Sequence, residues 1–524
     1  FVRGKSEFTL TSPLTGLALD LPAPLKKAAD AAWPLRVETR IATDGPLRDS
    51  LRVELSDVQG PLQTHLLSAH YQRDLSRDDG VPVVMRGAIG VLEAAPSLPE
   101  RGVQAVLALG AVDGDAWDAV LDHAPAPSVG AGRAVRAPSD GGGYVPRVVA
   151  LRAQSVVSGG RRLNDLVLGV SQDAADGTWR GNIDAEQLAG YIEYRAGAAQ
   201  PGRVYARLSR LALPPAEAKS VETLLAEAPT NVPTLDIAIE NFELRGKKLG
   251  RVELEGVSRG AREWRLNKLA LTNPEAQLSG SGQWQAGASP RMVMDFKLDL
   301  ADSGAFMERL GFAGTLRGGK GRVGGQVSWA GSPLAFHLPS LDGKLNIALD
   351  SGQFLKAGPG AARLFSVLSL QSLPRRLALD FRDVFQEGFA FDNVAGEVTI
   401  EDGVAATRNL RLRGVQAAVL MEGSADLQRE TQDLRVIVVP EINAGTASLA
   451  YAVINPAVGL GSFVAQLFLR RPLMAASTRE FTVQGSWAEP KVERVERRLD
   501  APLPEMDAPA QPAAAPASAP RPAS

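Results

Sequence analysis

The ten residues Arg291-Met292-Val293-Met294-Asp295-Phe296-Lys297-Leu298-Asp299-Leu300 decide the fold class. Every even position of this stretch carries a large apolar side chain, and every odd position except Val293 carries a charge. Successive side chains of a β-strand point to opposite faces of its sheet, whereas a helix repeats every 3.6 residues. The stretch therefore predicts a strand with one apolar face and one polar face.

The same alternation recurs along most of the chain. It occurs at Leu35/Val37/Thr39/Ile41, Leu51/Val53/Leu55, Leu235/Ile237/Ile239, Val252/Leu254, Leu345/Ile347/Leu349, Leu410/Leu412, Leu434/Val436/Val438 and Phe481/Val483. Turn-forming residues separate the runs, as at Asp44-Gly45-Pro46, Asp176-Gly177 and Asp402-Gly403. Repeated strand and turn units over hundreds of residues predict a mainly β protein with short helices as interruptions.

Composition excludes several classes of function. The 524 residues are 45% hydrophobic and 22% charged, which is ordinary for a folded chain, and the net charge of -2 argues against nucleic acid. There is no cysteine, so disulfides, thiolate metal sites and cysteine nucleophiles are excluded. Four histidines, His65, His70, His123 and His337, lack the spacing of a metal motif. We therefore expect no cofactor, no metal and no catalysis.

Few segments favour a helix, and none of them carries a ligand pattern. One apolar helical stripe is predicted at 361–373, a polar connecting helix at 215–228, and short helical turns near Leu25–Ala32 and Asp184–Ala189. The glycines of Gly319-x-Gly321-x-x-Gly324 match a dinucleotide fingerprint, but a strand follows them where that fingerprint needs a helix. We interpret them as a glycine-rich hairpin turn.

The segment from Ile442 to Leu469 has no charged residue and is as long as a membrane span. Asn455-Pro456 and nearby glycines interrupt it, so it predicts two short apolar helices around a bend, followed by Arg470-Arg471. Such a hairpin is either a buried cap on the end of the sheet or a membrane contact with its arginines at lipid head groups. The tail from Ala501 onward is rich in Pro and Ala, which predicts disorder.

Alternation alone leaves the use of the sheet open. Two apolar faces can pack into a filled core, or one curved sheet can keep an unfilled apolar groove for acyl chains. Both arrangements require the same pattern.

Longer runs of sequence carry a family resemblance. They are "GQFLKAGPGAARLFSVLSLQSLPRRLALDFRDVFQEGFAFDNVAGEVTIEDG" (352–403), "VPEINAGTASLAYAVINPAVGLGSFVAQLFLRRPL" (439–473), "LTGLALDLPAPLKKAADAAWPL" (14–35) and "LGRVELEG" (249–256). Together they make the chain, from Gly4 to about Val495, resemble the C-terminal part of AsmA-like envelope proteins of the YhdP type.

The resemblance implies a long, twisted, mainly antiparallel sheet folded into an apolar trough, as in bridge-like lipid transfer proteins. It also implies a periplasmic protein that an N-terminal helix anchors in the inner membrane, with its C-terminal end towards the outer membrane. The chain begins at Phe1 with residues that already alternate, so we expect an N-terminal part to be missing. The expected partners are phospholipids and the inner and outer membranes, without nucleic acid.

The expected layout is a first β-rich segment at 1–213, a helical linker at 214–233, an extended sheet at 234–440, an apolar hairpin at 441–475, a final strand at 476–500 and a tail at 501–524. The candidates for the trough floor are Met292, Met294, Phe296, Leu298, Ile347, Leu349, Phe389 and Phe391. The candidates for membrane contact are Leu460, Phe463, Leu467, Phe468, Arg470 and Arg471.

The sequence therefore predicts a conduit that moves phospholipid between membranes along an apolar groove, without covalent chemistry. One alternative is a scaffold for assembling outer-membrane proteins or envelope polymers, with a filled core. Another is a β-solenoid enzyme acting on envelope polysaccharide, which needs a cleft with paired acids that nothing in the sequence singles out.

Overall fold

A computed structural model describes residues 7–59, 62–76, 81–123, 143–159, 161–197, 202–215, 232–259, 263–285, 289–333, 336–355, 389–414, 417–440 and 478–495. The described residues form mainly strands. The predicted helices at 215–228 and 361–373, the apolar hairpin at 441–475 and the tail fall largely or entirely outside these ranges.

The strands are numbered β1 to β24 in chain order. They are Phe8–Ser12, Leu35–Ile41, Arg48–Gln59, Leu62–Asp74, Val83–Val91, Gly102–Asp113, Val148–Ser158, Arg161–Gln172, Trp179–Asp184, Leu188–Arg195, Arg203–Leu213, Thr234–Leu244, Lys247–Arg259, Glu263–Thr272, Ala276–Gln285, Arg291–Leu300, Leu316–Ala330, Asp342–Phe354, Phe389–Glu401, Val404–Arg413, Ala417–Asp426, Thr431–Pro440, Arg479–Ser486 and Pro490–Arg494. Helix α1 spans Gly114–His123, helix α2 spans Ser303–Arg309, and a single 3-10 turn spans Leu338–Ser340.

The 24 strands of the described residues belong to one sheet in which each strand pairs with the next along the chain. Three pairs, β5–β6, β6–β7 and β11–β12, are parallel, and the others are antiparallel. In the described residues β1 pairs only with β2 and β24 only with β23, so the sheet is not closed. The prediction of one long, mainly antiparallel sheet is confirmed.

A parallel pair requires the chain to return from the end of the first strand to the level at which that strand began before the second strand starts. Residues 92–101 make the first return, across the side of β5 on which Gly90 lies. A Cβ atom on Gly90 would lie 2.3 Å from the carbonyl oxygen of Glu93, so the returning chain can approach β5 this closely because residue 90 is a glycine. The amide of Ala95 donates to the hydroxyl of Ser68, at 2.6 Å, which fixes the crossing. The sheet also continues across the 214–233 connection, since β11 and β12 pair from Arg203 with Thr234 to Leu213 with Leu244.

Two short helical turns predicted from the sequence are wrong. Between Leu25 and Ala32 the chain forms turns and an isolated bridge, in which the amides of Leu19 and Lys27 each donate to the other's carbonyl oxygen at 2.9 Å. Between Asp184 and Ala189 it forms the tight connection from β9 to β10, because these two residues are cross-strand partners. Pairing with neighbouring strands outweighs the weak helical preference of such short segments.

The glycine-rich stretch is also not a hairpin turn. Gly319, Gly321 and Gly324 lie inside strand β17. Gly321 faces Leu300 of β16, and Gly325 faces Phe296, so small residues stand beside large ones on neighbouring strands. The hairpin turns predicted at Gly45, Gly177 and Gly403 do connect consecutive strands, each with the positive φ that glycine favours.

Candidate functional site

One continuous row of apolar residues and glycines crosses the sheet, one residue for each of β1 to β19. In order of pairing the row is Leu10, Val37, Val53, Ala69, Ile89, Ala105, Val149, Val170, Gly181, Ile192, Ala206, Ile237, Leu254, Leu269, Gly280, Phe296, Gly325, Leu345 and Val398. We call the side of the sheet that carries this row the apolar face, and the opposite side the polar face. The alternation seen along single strands thus becomes one surface along the whole sheet.

Burial of the apolar face changes along the sheet. On β1, Phe8 and Leu10 are each 52% exposed. Over β12–β18 many side chains of this face are only partly buried. Over β19–β23 they are packed into one cluster, in which Leu412 and Val436 have no exposed area. The apolar face therefore changes from open at one end to tightly packed at the other.

The candidates for the trough floor divide between these two environments. Met294, Phe296, Leu298, Ile347 and Leu349 are partly exposed, as expected of residues that line a surface open to a ligand. The remaining three are buried, namely Met292 at 1%, Phe389 at 2% and Phe391 at 2%. Phe391 packs on Phe354, with ring centroids 4.9 Å apart. The role of the candidates in binding lipid stays a prediction.

The six candidates for membrane contact, between Leu460 and Arg471, lie outside the described residues. In the described strands β21 and β22, which precede that segment, residues 417–421 and 436–439 are apolar and buried on both faces. The rest of each strand carries polar residues on one face, among them Glu422, Asp433 and Arg435. Val419 and Val438 belong to the apolar face, and their alternates Leu420 and Ile437 are no more than 4% exposed. These parts of β21 and β22 are therefore buried on both sides, as strands inside layered folds are.

A row of tryptophans borders the partly exposed region near one end of strands β14 to β17. Trp264, Trp284, Met292 and Trp329 are consecutive cross-strand partners, and none is more than 3% exposed. We call these four residues the tryptophan row. They belong to the same apolar cluster as Met294 and Phe296, which are partly exposed. The row therefore forms a buried, packed border beside the more open part of the apolar face.

A charged pair interrupts the apolar face in strands β3 and β4. Asp49 is in phase with Leu51 along β3, and its side chain is 6% exposed. The Nε of Arg73 donates to Oδ1 of Asp49 at 2.9 Å, and a second guanidinium nitrogen bonds the other carboxylate oxygen. Such a bidentate pair is well suited to a buried site.

Two tyrosines complete this cluster. Nη1 of Arg73 donates to the hydroxyl of Tyr144 at 3.1 Å, and the hydroxyl of Tyr71 donates to the carbonyl oxygen of Tyr144 at 3.3 Å. The two rings meet edge to face, 5.1 Å apart. Burial by itself would lower the pKa of Arg73, but the hydrogen bonds to Asp49 and Tyr144 raise it, so the guanidinium stays charged. The connection that enters β7 is thereby fixed against the apolar face.

The polar face carries cross-strand ion pairs. Lys268 bonds Glu253 at 2.6 Å, and Arg322 bonds Asp299 at 2.7 Å. The hydrogen bond from Lys268 lowers the pKa of Glu253, and that from Lys297 lowers the pKa of Asp299. Exposed pairs of this kind stabilise a protein little, but they keep this face hydrated. Around these pairs, in strands β13 to β17, the two sides of the sheet therefore have opposite affinities for water.

Within the described ranges no group of three His, Asp or Glu side chains could hold a metal ion. His70 contacts the hydroxyl of Ser50 at 2.9 Å, and Nδ1 of His337 contacts that of Ser340 at 2.8 Å. Membrane-spanning helices are a separate question. None of the helices described is long and apolar enough to span a membrane.

Comparison with known proteins identifies the family. The YhdP protein family matches residues 3–492. The chain belongs to the YhdP family. A relative in Escherichia coli (strain K12), the intermembrane phospholipid transporter YhdP, is 27% identical over 510 residues. That match covers 93% of this chain but 37% of the relative, so the chain spans a little over a third of its length. No solved structure matches the chain. Family membership confirms the resemblance on which the sequence analysis relied.

Two features of this YhdP-family sheet were not predicted from the sequence. The tryptophan row was visible as Trp264, Trp284 and Trp329, each one residue from the end of an alternating run. The buried ion pair was visible because Asp49 and Arg73 stand in phase with apolar residues rather than between them. A charge in the apolar phase of a strand is therefore the signal that could have identified the cluster.

Proposed function

We propose that this chain is part of a conduit that carries phospholipid between the inner and outer membranes along the apolar face of its sheet. The observation that carries the proposal is the uninterrupted apolar row from Leu10 to Val398, with partly exposed side chains over β12–β18. A filled core would leave no such surface. The name of the Escherichia coli relative, a phospholipid transporter, supports the same cargo.

The physical role of the face is to replace water around acyl chains. Each methylene shielded from water contributes about 0.8 kcal/mol, so a continuous apolar surface lowers the barrier to moving a lipid through an aqueous space. Methionine and phenylalanine suit a surface that must hold varied chains, since Met294 adapts its shape and Phe296 offers a broad ring. No covalent step is needed, and the direction of net transport depends on the membranes at each end.

We further propose a trough, a curved form of this sheet whose apolar face is concave. Its more open part lies over β12–β18, and the packed cluster of β19–β23 closes its end. In this proposal the protein resides in the periplasm with that end towards the outer membrane, while parts beyond this chain provide the inner-membrane anchor.

The decisive experiment compares two double variants of the purified chain. Met294→Asp with Phe296→Asp places carboxylates on the partly exposed apolar face. Ser279→Asp with Ser281→Asp adds the same charge to exposed positions on the polar face of neighbouring β15. We expect co-purifying phospholipid, measured by native mass spectrometry and lipid extraction, to fall about tenfold or more in the first variant only.

The outcomes separate the alternatives. If the parent protein carries no lipid after extraction from membranes, the conduit is wrong, and the scaffold with a filled core becomes the better proposal. The burial of residues 417–421 of β21 and 436–439 of β22 on both faces favours such a packed role for that end of the sheet alone. Equal lipid loss in both variants, with folding intact, would show that charge rather than the apolar face controls binding.

The uncharged segment after β22 is proposed as the membrane contact, with Arg470 and Arg471 at lipid phosphates. Replacement of Leu460, Phe463 and Leu467 with Asp should abolish sedimentation with anionic phospholipid vesicles. The double Ser→Asp variant on β15 serves as the charge control. Undiminished vesicle binding and transport in the triple variant would contradict this assignment and favour a buried cap.

A further inference from the structure

The three tryptophans of the tryptophan row differ in one respect. The indole N–H of Trp264 donates to the carbonyl oxygen of Pro233 at 3.4 Å, and that of Trp329 donates to the carbonyl oxygen of Ser332 at 2.9 Å. The indole N–H of Trp284 lies between them in the row and is fully enclosed, yet it has no hydrogen-bond partner in the structure. Trp284 itself is 1% exposed.

An enclosed donor without an acceptor is unusual, since most buried polar groups are paired. Leaving such a donor unpaired destabilises the folded protein, and phenylalanine would supply a ring without that cost. The neighbours of Trp284 in the row are Trp264 and Met292, and its cluster includes the partly exposed Met294 and Phe296. The unpaired donor therefore stands beside the stretch of the apolar face that we propose for lipid.

We propose that the indole N–H of Trp284 donates a hydrogen bond to the ester carbonyl of a lipid lying on the apolar face over β14–β17. The inference rests on the proposed function and specifies its cargo, because an ester-linked lipid has a carbonyl beside its acyl chains and an ether-linked lipid does not. Access to the N–H requires a neighbouring side chain to move. Met292 is the suitable one, since it is unbranched and flexible.

The test uses two phosphatidylethanolamines of equal chain length, one with ester-linked and one with ether-linked chains. Both are offered together to the delipidated protein, and the bound ratio is read by native mass spectrometry. One hydrogen bond should give the parent protein a preference of about three- to tenfold for the ester lipid. Trp284→Phe should bind both lipids equally, with the affinity for the ether lipid unchanged.

Three control variants isolate the effect. Trp264→Phe and Trp329→Phe remove paired donors from the same row, and both should keep the ester preference. Trp487→Phe removes another enclosed and unpaired indole N–H, at the turn between β23 and β24 and outside the cluster of the tryptophan row. It should also keep the preference. Loss of the preference in every variant would indicate a general change in packing and would overturn the proposal.

Other outcomes are equally decisive. Equal binding of the two lipids by the parent protein would refute the proposal while leaving the conduit intact, and it would leave a trapped water as the acceptor. Binding of neither lipid would refute the conduit itself. If Trp284→Phe does not fold, ultraviolet resonance Raman spectra of the parent protein test the proposed hydrogen bond instead. The indole N–H band should shift between the ether-loaded and ester-loaded forms, and an unchanged band would overturn the proposal.

Discussion

Aromatic rings lie against glycines of neighbouring strands at several points of the sheet. A Cβ atom on Gly256 would lie 2.0 Å from the ring of Trp264, and one on Gly352 would lie 2.7 Å from that of Phe391. A Cβ on Gly87 would likewise meet the ring of Tyr71, at 2.4 Å. These glycines are therefore needed for close approach, and each ring covers the backbone that its glycine exposes.

This close approach predicts the cost of adding a methyl group. Gly256→Ala should lower the free energy of unfolding by about 1–3 kcal/mol, because the ring of Trp264 must move out of a packed cluster. Gly169→Ala in β8 is the matched control, since a Cβ there meets nothing within 4 Å, and it should be neutral or slightly stabilising. Chemical denaturation measures both variants. Equal effects would mean that strand glycines matter here only through backbone entropy.

The buried ion pair of Asp49 and Arg73 gives a second prediction at the scale of residues. Asp49→Asn leaves the guanidinium buried without its counter-charge and should destabilise the protein by about 3 kcal/mol. Asp299→Asn, which breaks an exposed pair with Arg322, should cost less than about 1 kcal/mol. Thermal or urea unfolding of the two variants provides the comparison. Similar losses would show that water reaches the buried pair.

At the scale of elements, helix α2 is held to the sheet by charge. The guanidinium of Arg309 donates to both carboxylate oxygens of Glu275, at 2.9 and 2.7 Å, and to the carbonyl oxygen of Lys248 at 2.7 Å. Asp302 begins the helix by accepting a hydrogen bond from the amide of Ala305 at 3.0 Å. The helix therefore joins the edge of β13 to the turn between β14 and β15.

This contact should depend on pH. The hydrogen bond from Arg309 lowers the pKa of Glu275 below its usual value of 4.5. A lowered carboxyl pKa contributes stability that is complete above the unfolded pKa and is lost as the pH falls through the folded pKa. Glu275→Gln should therefore be less stable than the parent at neutral pH, with the difference shrinking below about pH 5. Parallel stability curves from pH 7 to pH 3 would contradict this coupling.

At the scale of the whole molecule, stability should rise from the first strand to the last third of the sheet. Within the described residues strand β1 has exposed apolar side chains and one neighbour, while β21 and β22 have a neighbour on each side and are buried on both faces over residues 417–421 and 436–439. Amide hydrogen exchange should therefore be fastest at Phe8–Ser12 and slowest at Ala417–Asp426 and Thr431–Pro440. Uniform exchange along the sheet would show that it opens as one unit. Peptide-resolved mass spectrometry makes the measurement.

The sequence by itself determined the strands and their two-sided character. The period of two at 291–300 requires a sheet with one face of each kind, because adjacent side chains of a strand cannot share a face. It also determined the hairpins at Asp402-Gly403 and similar sites, since their turn residues favour positive φ. Both are local properties of the backbone. The local pattern predicted the wrong structure at the two helical turns and at Gly319–Gly324, because pairing with neighbouring strands determines the conformation there.

Only the tertiary structure decided how the strands combine. Register aligned the alternating residues into one row from Leu10 to Val398, and register depends on pairing between strands rather than on any one of them. Burial then separated Phe296, which is partly exposed, from Phe389, which is packed, although both occur in alternating runs. The missing acceptor of Trp284 emerged in the same way. Exposure and hydrogen bonding depend on what the rest of the chain places beside a residue, and periodicity does not encode that.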